Sequence, residues 1–361
     1  MKMSQRELFQ ATLAHEPHED FLFYTSFTPD LYQRFAAYMQ PIPEEEIAEH
    51  LGMFKPVNAT PKLCAELDET LLEQRYGQYF AAEERLEGSF LNRLGVLEVP
   101  GSIYHFTSYI SPLRHANTLE EIEAFTYYPG YDGYDESHLA GVVQQAHAEG
   151  KATVCGVGHI YEDSWQIRGY EQFLEDMILH PEHCEYILDR VMERNIVLAE
   201  AAARAGVDYL HTGDDVANQQ TMMFSLPMWR KFMKSRWAKV YEAARAIKPD
   251  IAIWYHSDGN ITRIIPELIE IGVDILNPVQ PECVDIYELK RQYGRQLVFD
   301  GTIGTQTTMP FGTPDEVRRV VADRKAQLGK DGALILSPTH VLEPEVPIEN
   351  ILAFCEACRE A

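Results

Sequence analysis

The segment Trp254-Tyr255-His256-Ser257-Asp258-Gly259-Asn260 places a histidine and a carboxylate two residues apart, after an apolar run and before a glycine turn. Such residues on an extended segment share a face. If Ile251 to Tyr255 is a buried strand, His256 and Asp258 therefore leave its carboxyl end together. A second apolar run, Ala333-Leu334-Ile335-Leu336, leads into Ser337-Pro338-Thr339-His340, and a third, Tyr209-Leu210-His211-Thr212-Gly213, ends on Asp214 and Asp215. A histidine beside a carboxylate can exchange a proton near neutral pH. These groups could act together only in a fold that gathers many strand ends at one mouth.

From Ala152 onward, short apolar runs alternate with helical patterns, the signature of repeated βα units and a parallel sheet. The expected strands are Ala152 to Val157, Asp208 to Thr212, Ile251 to Tyr255, Ile275 to Val279, Leu297 to Asp300 and Ala333 to Leu336. Helix starts are marked by Ser225-Leu226-Pro227 and by Thr313-Pro314-Asp315-Glu316, where Thr313 and Glu316 form a capping box. Upstream, Phe21 to Phe27 and Phe54 to Ala59 complete a set of eight. The expectation is an α/β (β/α)8 TIM barrel, with a doubly wound open sheet as the alternative. Residues 76–113 break the alternation with Glu87-Gly88, Leu94-Gly95 and Pro100-Gly101 around β-prone stretches that include Ser102-Ile103-Tyr104-His105-Phe106. They read as a hairpin insertion over one end of the barrel. No linker divides the chain, so residues 1–361 read as one domain.

The chain carries 56 acidic and 31 basic residues, a formal charge of −25. Nucleic acid and anionic membrane surfaces are poor partners for such a surface. The opening residues form a polar helical pattern without an apolar signal core, and no run of about 18 apolar residues occurs; a soluble, cytoplasmic protein is expected. Its size is compatible with a homodimer. Of the six cysteines, Cys355 and Cys358 form a Cys-x-x-Cys inside an apolar helical pattern. Without a second pair this reads as helix spacing rather than a redox or zinc motif.

Other polar residues close strands: His159 with Glu162 and Asp163 beyond it, His211, Asn277 with Gln280, and Asp300. Any one of them alone reads as a helix cap or turn residue. In a barrel, however, the carboxyl end of every strand faces the active site, and their convergence points to an enzyme.

The run His256-Ser257-Asp258-Gly259-Asn260, followed by Ile271-Gly272-Val273-Asp274-Ile275-Leu276-Asn277-Pro278-Val279-Gln280, then Phe299-Asp300-Gly301 and His340 with Pro347-Ile348-Glu349-Asn350-Ile351, resembles the uroporphyrinogen decarboxylase superfamily. So does Arg168-Gly169-Tyr170-Glu171-Gln172-Phe173-Leu174. The resemblance runs from Ala152 to the C-terminus and touches the N-terminal third through Glu7 to Pro17. It implies a (β/α)8 barrel and one of two chemistries. The porphyrinogen decarboxylases carry arginines after their first strand to hold a polycarboxylate. Here that stretch is Tyr24-Thr25-Ser26-Phe27-Thr28-Pro29-Asp30, without arginine. Trp165 stands where they place a tyrosine and Asp215 where they place a serine, while His340 is retained.

The other branch, the cobamide-dependent methyltransferases, places zinc-binding His-x-Cys and Cys residues where this chain has His256, Asp258 and His340. The resemblance thus implies a zinc site of those three residues, a corrinoid carried by a partner protein, and a small-molecule methyl donor. Replacing thiolates by nitrogen and oxygen ligands leaves a harder centre suited to an oxygen ligand. The reading is a corrinoid-dependent methyltransferase that demethylates a methoxylated or methylated small molecule. His340, Asp214 and Asp215 are its catalytic candidates, and His159, His211, Gln280, Asp300 and Trp165 its substrate-binding candidates. The alternative is a metal-free decarboxylase using His340 with Asp214 or Asp215 as an acid/base pair. A non-catalytic corrinoid-binding subunit is a third reading.

Overall fold

Six parallel strands lie side by side in the order Val57–Asn58, Thr153–Gly158, Tyr209–Gly213, Ala252–His256, Ile275–Asn277 and Val298–Phe299. The computed structural model describes residues 3–65, 67–101, 107–126 and 133–360. Two further segments close this sheet into a ring. Phe299 bridges Leu334, Ile303 bridges Pro338, and Phe23 bridges Leu336, all in parallel. Phe54 N–H then donates to the Phe23 carbonyl at 2.6 Å, which returns the ring to the strand at Val57. The result is an eight-stranded parallel barrel with its strands in the places expected. The first and last are held by isolated bridges rather than by long ladders. Closure leaves the ring no free edge.

Alternation along each strand sorts side chains between two compartments. Inward-facing Leu22, Ala152, Tyr209, Ala252, Trp254, Ile275, Val298, Ala333 and Ile335 fill the barrel's lower interior. Outward-facing residues such as Cys155, Val157, Leu210, Ile253, Tyr255 and Leu276 pack beneath the surrounding helices. Because both faces are buried, the strands read as continuous apolar runs rather than alternating ones. The first helix, Gln5–Leu13, starts at a capping box of Ser4 and Glu7. It plugs the amino-terminal end of the barrel: Phe9 is fully buried with its ring 5.8 Å from Phe54 and 5.1 Å from Tyr209. The Ser225 cap and the Thr313–Glu316 capping box are present. Cys355 and Cys358 are both buried in the last helix, Ile348–Arg359. No helix among the described residues is long and apolar enough to cross a membrane.

Residues 76–113 hold a three-stranded antiparallel sheet of Phe90–Leu91, Leu97–Pro100 and Thr107–Ile110. Phe90, Glu98 and Tyr109 share one row across it. The stretch from Ser102 to Phe106, including Tyr104, lies outside the described residues. This sheet has its own apolar core, in which Leu91, Val96, Leu97 and Leu113 meet Ile167, Ile187 and Val191 of the helices that follow the third barrel strand.

Beneath the barrel, buried Asp208 accepts hydrogen bonds from Arg6 Nε at 3.0 Å, the Thr153 backbone N–H at 2.8 Å and the Thr153 hydroxyl at 2.9 Å, and meets His147 Nε2 at 2.9 Å. One carboxylate thus ties the first helix, the third strand and the helix Leu139–Ala148 to the fourth strand. Removing it strands several donors. Asp208→Ala should lower unfolding free energy by about 2–4 kcal/mol, whereas Asp315→Ala, at an exposed pair with Arg318, should cost under about 0.5 kcal/mol. Urea denaturation of the two variants checks this, and equal effects would contradict it.

Candidate functional site

His256 is the last residue of the fifth barrel strand and pairs in register with Gly213 on one side and Asn277 on the other. The fourth strand runs so close that a Cβ on Gly213 would lie 2.0 Å from the His256 carbonyl oxygen, so only glycine fits there. Beyond His256 the chain turns at Gly259, with φ +87°. Asp258 N–H donates to Asp215 Oδ1 at 2.7 Å, and Gly259 N–H donates to Gln280 Oε1 at 2.6 Å. These bonds aim two carboxylates at one imidazole. His256 Nε2 stands 3.9 Å from Asp215 Oδ1 and 4.0 Å from Asp258 Oδ1. His340 Nε2 lies 3.8 Å from Asp258 Oδ2.

The imidazole's other nitrogen is held by a buried polar network. His256 Nδ1 is 2.6 Å from Asn277 Oδ1. The Asn277 amide nitrogen donates to Asp300 Oδ2 and to the Tyr24 hydroxyl. Asp300 also accepts from Tyr24 at 2.7 Å and from Ser337 at 2.8 Å. An ionised carboxylate can only accept, so the Asn277 NH2 must face Asp300 and its carbonyl oxygen must face His256. That makes Nδ1 the donor to Asn277 and turns Nε2 toward Asp215 and Asp258, where a neutral imidazole presents a lone pair. Burial raises the Asp300 pKa to about 6, against the pull of its Tyr24, Ser337 and Asn277 donors. It is therefore ionised at neutral pH.

A second layer surrounds Asp215. Its backbone N–H donates to Glu162 Oε2 at 3.0 Å, and Glu162 pairs with His159 Nδ1 at 2.9 Å. Burial disfavours a charge on His159, but the bonded Glu162 carboxylate, with Asp214 and Asp163 nearby, outweighs it and raises the pKa to about 10. The Asp215 pKa is raised by burial and by the like charges of Glu162 and Asp258, against the attraction of His256. His211, on the inner face of the fourth strand, is reached by solvent but walled by the barrel. Desolvation there, together with His256 and His159, lowers its pKa to about 4.

Asp215, His256 and Asp258 each offer a ligand atom, and the three atoms lie within 4.8 Å of one another. Bonds of ~2.0–2.2 Å to a tetrahedral ion set donors ~3.3–3.6 Å apart, so the observed separations close with small side-chain adjustments. An imidazole nitrogen facing two carboxylates would suit a divalent cation, and the Asn277 contact supplies the outer-shell partner that ligating histidines use.

The expected residues divide on inspection. His256, Asp258 and Asp215 converge, and His340 flanks Asp258 from the far side. Gln280 serves Asp258, its Nε2 lying 3.4 Å from Oδ1. Asp214, expected to act with Asp215 in catalysis, is instead fully buried and committed to structure. Its Oδ1 accepts the N–H groups of Ile160, Tyr161 and Glu162 at the start of the helix Tyr161–Arg168, and its Oδ2 accepts Trp237 Nε1 at 2.8 Å. Asp300, expected to bind substrate, is fully buried against Tyr24, Asn277 and Ser337. The Trp165 ring packs edge-on against Tyr109 and Tyr170.

In the sequence Glu162 and Asn277 stand among the polar strand-end residues without an assigned role, and Tyr24 carries no sign of belonging to the site. Asn277 was within reach, since it sits two residues after inward-facing Ile275 at the height of His256. Tyr24 was not, because only closure of the ring brings it to Asp300.

The family profile described as uroporphyrinogen decarboxylase (URO-D) matches residues 164–361. In structure, the chain is similar to a methyltransferase from Methanosarcina mazei over 99% of its own length and 98% of that chain, at 17% identity and a TM-score of 0.67. A weaker likeness, TM-score 0.40 and 13% identity, joins 64% of this chain to 82% of xylanase 10B from Thermotoga maritima. No curated protein sequence matches the chain.

His159 and His211 should titrate far apart. With a pKa of about 10, His159 should be protonated throughout the neutral range, while His211, at about 4, should be neutral. The raised His159 value implies stability that is fully present below its ordinary pKa of 6.5 and lost as pH climbs through about 10. Imidazole NMR shifts, assigned with His159→Gln and His211→Gln, check the order. Coincident titration near pH 6.5 would contradict it.

Proposed function

The chain belongs to the uroporphyrinogen decarboxylase (URO-D) family, and from that premise we propose that it is a methyltransferase that removes the methyl group of an oxygen-methylated small molecule with the help of zinc. The acceptor in this reading is a reduced corrinoid on a partner protein. The observation that carries it is the placement of His256 Nε2 between the Asp215 and Asp258 carboxylates, at 3.9 and 4.0 Å. The full-length likeness to a methyltransferase supports the same choice within the family.

Zinc held by Asp215, His256 and Asp258, with His340 beside them, would supply Lewis acidity toward an ether or alcohol oxygen. Each protein group then has a defined task. Asn277 keeps the His256 proton on Nδ1, and Gln280 and the Asp258 N–H contact hold the two carboxylates in place. His340, 47% exposed, stands where it can deliver a proton to the departing oxygen. Stabilising that oxygen as its charge forms is where fixed electrostatics has most effect.

The charge at the mouth speaks against the decarboxylase alternative. Asp215 and Asp258 face the opening, and among the described residues no arginine or lysine is paired with either. A polycarboxylate would be repelled there, and Tyr24, in the segment where arginines hold it in the decarboxylases, is occupied with Asp300.

Elemental analysis of the purified protein should find close to one zinc per chain, lost in His256→Ala. Methyl transfer from a methoxylated aromatic to cob(I)alamin should fall at least ~100-fold in that variant. Asn277→Ala should retain the fold but weaken zinc affinity about 10–100-fold, measured by competition with a chelator. Zinc absent after supplementation, or equal transfer rates in wild type and His256→Ala, would overturn the proposal.

A further inference from the structure

The upper layer of the barrel is lopsided. Over strands five to eight and the first strand, the interior is filled: Asp300 and Ser337 are fully buried, Asn277 is 6% exposed, and all three belong to the Tyr24 network. Over strands two to four it is open. Asn58, Gly156 and His211 point inward by the alternation that sends Ala59, Cys155 and Leu210 outward, and all three are exposed to solvent. Gly156 pairs in register with His211, and the His211 and His256 ring centroids are 6.4 Å apart. The open lobe therefore adjoins the candidate metal cluster directly.

Its walls are specific. Thr60 accepts the Gly156 N–H at 3.3 Å and donates to Asn58 Oδ1 at 2.6 Å, which puts neutral hydroxyl and amide groups along one side. Below His211 lies the Trp254 ring at 6.3 Å, itself 5.0 Å from Tyr209. Aromatic side chains make a floor suited to a planar ring. A Cβ on Gly156 would meet nothing within 4 Å, so this glycine is not required by packing among the described residues. None of the described residues named along the lobe is an arginine or lysine, and the carboxylates of Asp215 and Asp258 stand beside it.

We propose that this lobe holds the body of the methyl donor, that the body is an uncharged ring, and that the missing side chain at Gly156 sets the size of ring admitted. The inference rests on the methyl-transfer reading above and adds to it the substrate class and a specificity-determining residue. A ring lying over Gly156 and His211 would present a methoxy oxygen toward the His256 cluster, with its polar substituents at Thr60 and Asn58. An anionic ring would meet no arginine or lysine among these residues to pair with its charge.

Calorimetric titration of the zinc-supplemented protein with 2-methoxyphenol and with 4-methoxybenzoate tests this without relying on turnover. The neutral probe should bind at least about tenfold more tightly. Gly156→Leu should weaken its binding at least about tenfold and Gly156→Ala only a few-fold, with melting temperature and zinc content unchanged in both. Should the leucine variant misfold, the alanine variant reads the same floor at smaller size. No saturable binding of 2-methoxyphenol, a preference for the carboxylate, or unchanged binding in the folded variants would overturn the proposal. Methyl transfer that proceeds equally in Gly156→Leu would also overturn it while leaving the chemistry intact. Size-dependent binding without any transfer to cob(I)alamin would keep the lobe's ligand and remove the methyl-transfer reading.

Discussion

Closure of the barrel between its first and last strands is the constraint on which the site depends. It rests on few bonds: Leu336 N–H to the Leu22 carbonyl at 2.9 Å, Tyr24 N–H to the Leu336 carbonyl at 3.1 Å, Leu342 N–H to the Ser26 carbonyl at 2.9 Å and Thr28 N–H to the Leu342 carbonyl at 3.0 Å. Yet it joins residues more than three hundred positions apart and carries the Tyr24 hydroxyl to Asp300. From there each contact determines the next. Asp300 orients the Asn277 amide, Asn277 holds His256 Nδ1 as a donor, and that contact turns Nε2 toward the carboxylates. The helix Gln5–Leu13 guards this arrangement from below through the Asp208 latch and the ring of Phe9.

The mouth shows how a strongly acidic chain manages charge. Glu162 is matched by His159, and Asp214 is satisfied by four N–H donors. Asp163 is paired with Arg194, and Asp176 with Arg168. Asp215 and Asp258 instead share one imidazole nitrogen. Two carboxylates drawn together in a partly desolvated mouth are costly unless a cation joins them. The electrostatic imbalance therefore falls at the place where the geometry offers a ligand set. The lower interior, packed with Trp254, Tyr209, Ile275 and Val298, keeps water from entering the mouth from beneath.

Neighbouring positions at strand ends have divided roles. Asp214 and Asp215 are adjacent, and the half-turn between them sends one carboxylate into a helix start and the other into the mouth. His211 and His256 sit one strand apart on the same inner surface, but only His256 has Asn277 beyond it. Residue type therefore decides less here than the partner that packing supplies.

Much of this was legible in the chain. Eight apolar runs separated by helical patterns specify a barrel because a parallel strand buried on both faces must be apolar throughout, and that demand is local. The convergence of His256, Asp258, Asp215 and His340 followed from the same rule, since parallel strands deliver their carboxyl ends to one side. What the sequence could not decide was which polar groups remain free. Asp214 and Asp300 look as reactive as Asp215 when read in line, and Tyr24 looks like an ordinary strand residue. The Tyr24–Asp300 contact forms only when the ring closes, and Asp214 takes its role from a helix start and the Trp237 ring that packing brings to it. Strand alternation says which way a side chain points; only the tertiary structure says what meets it there.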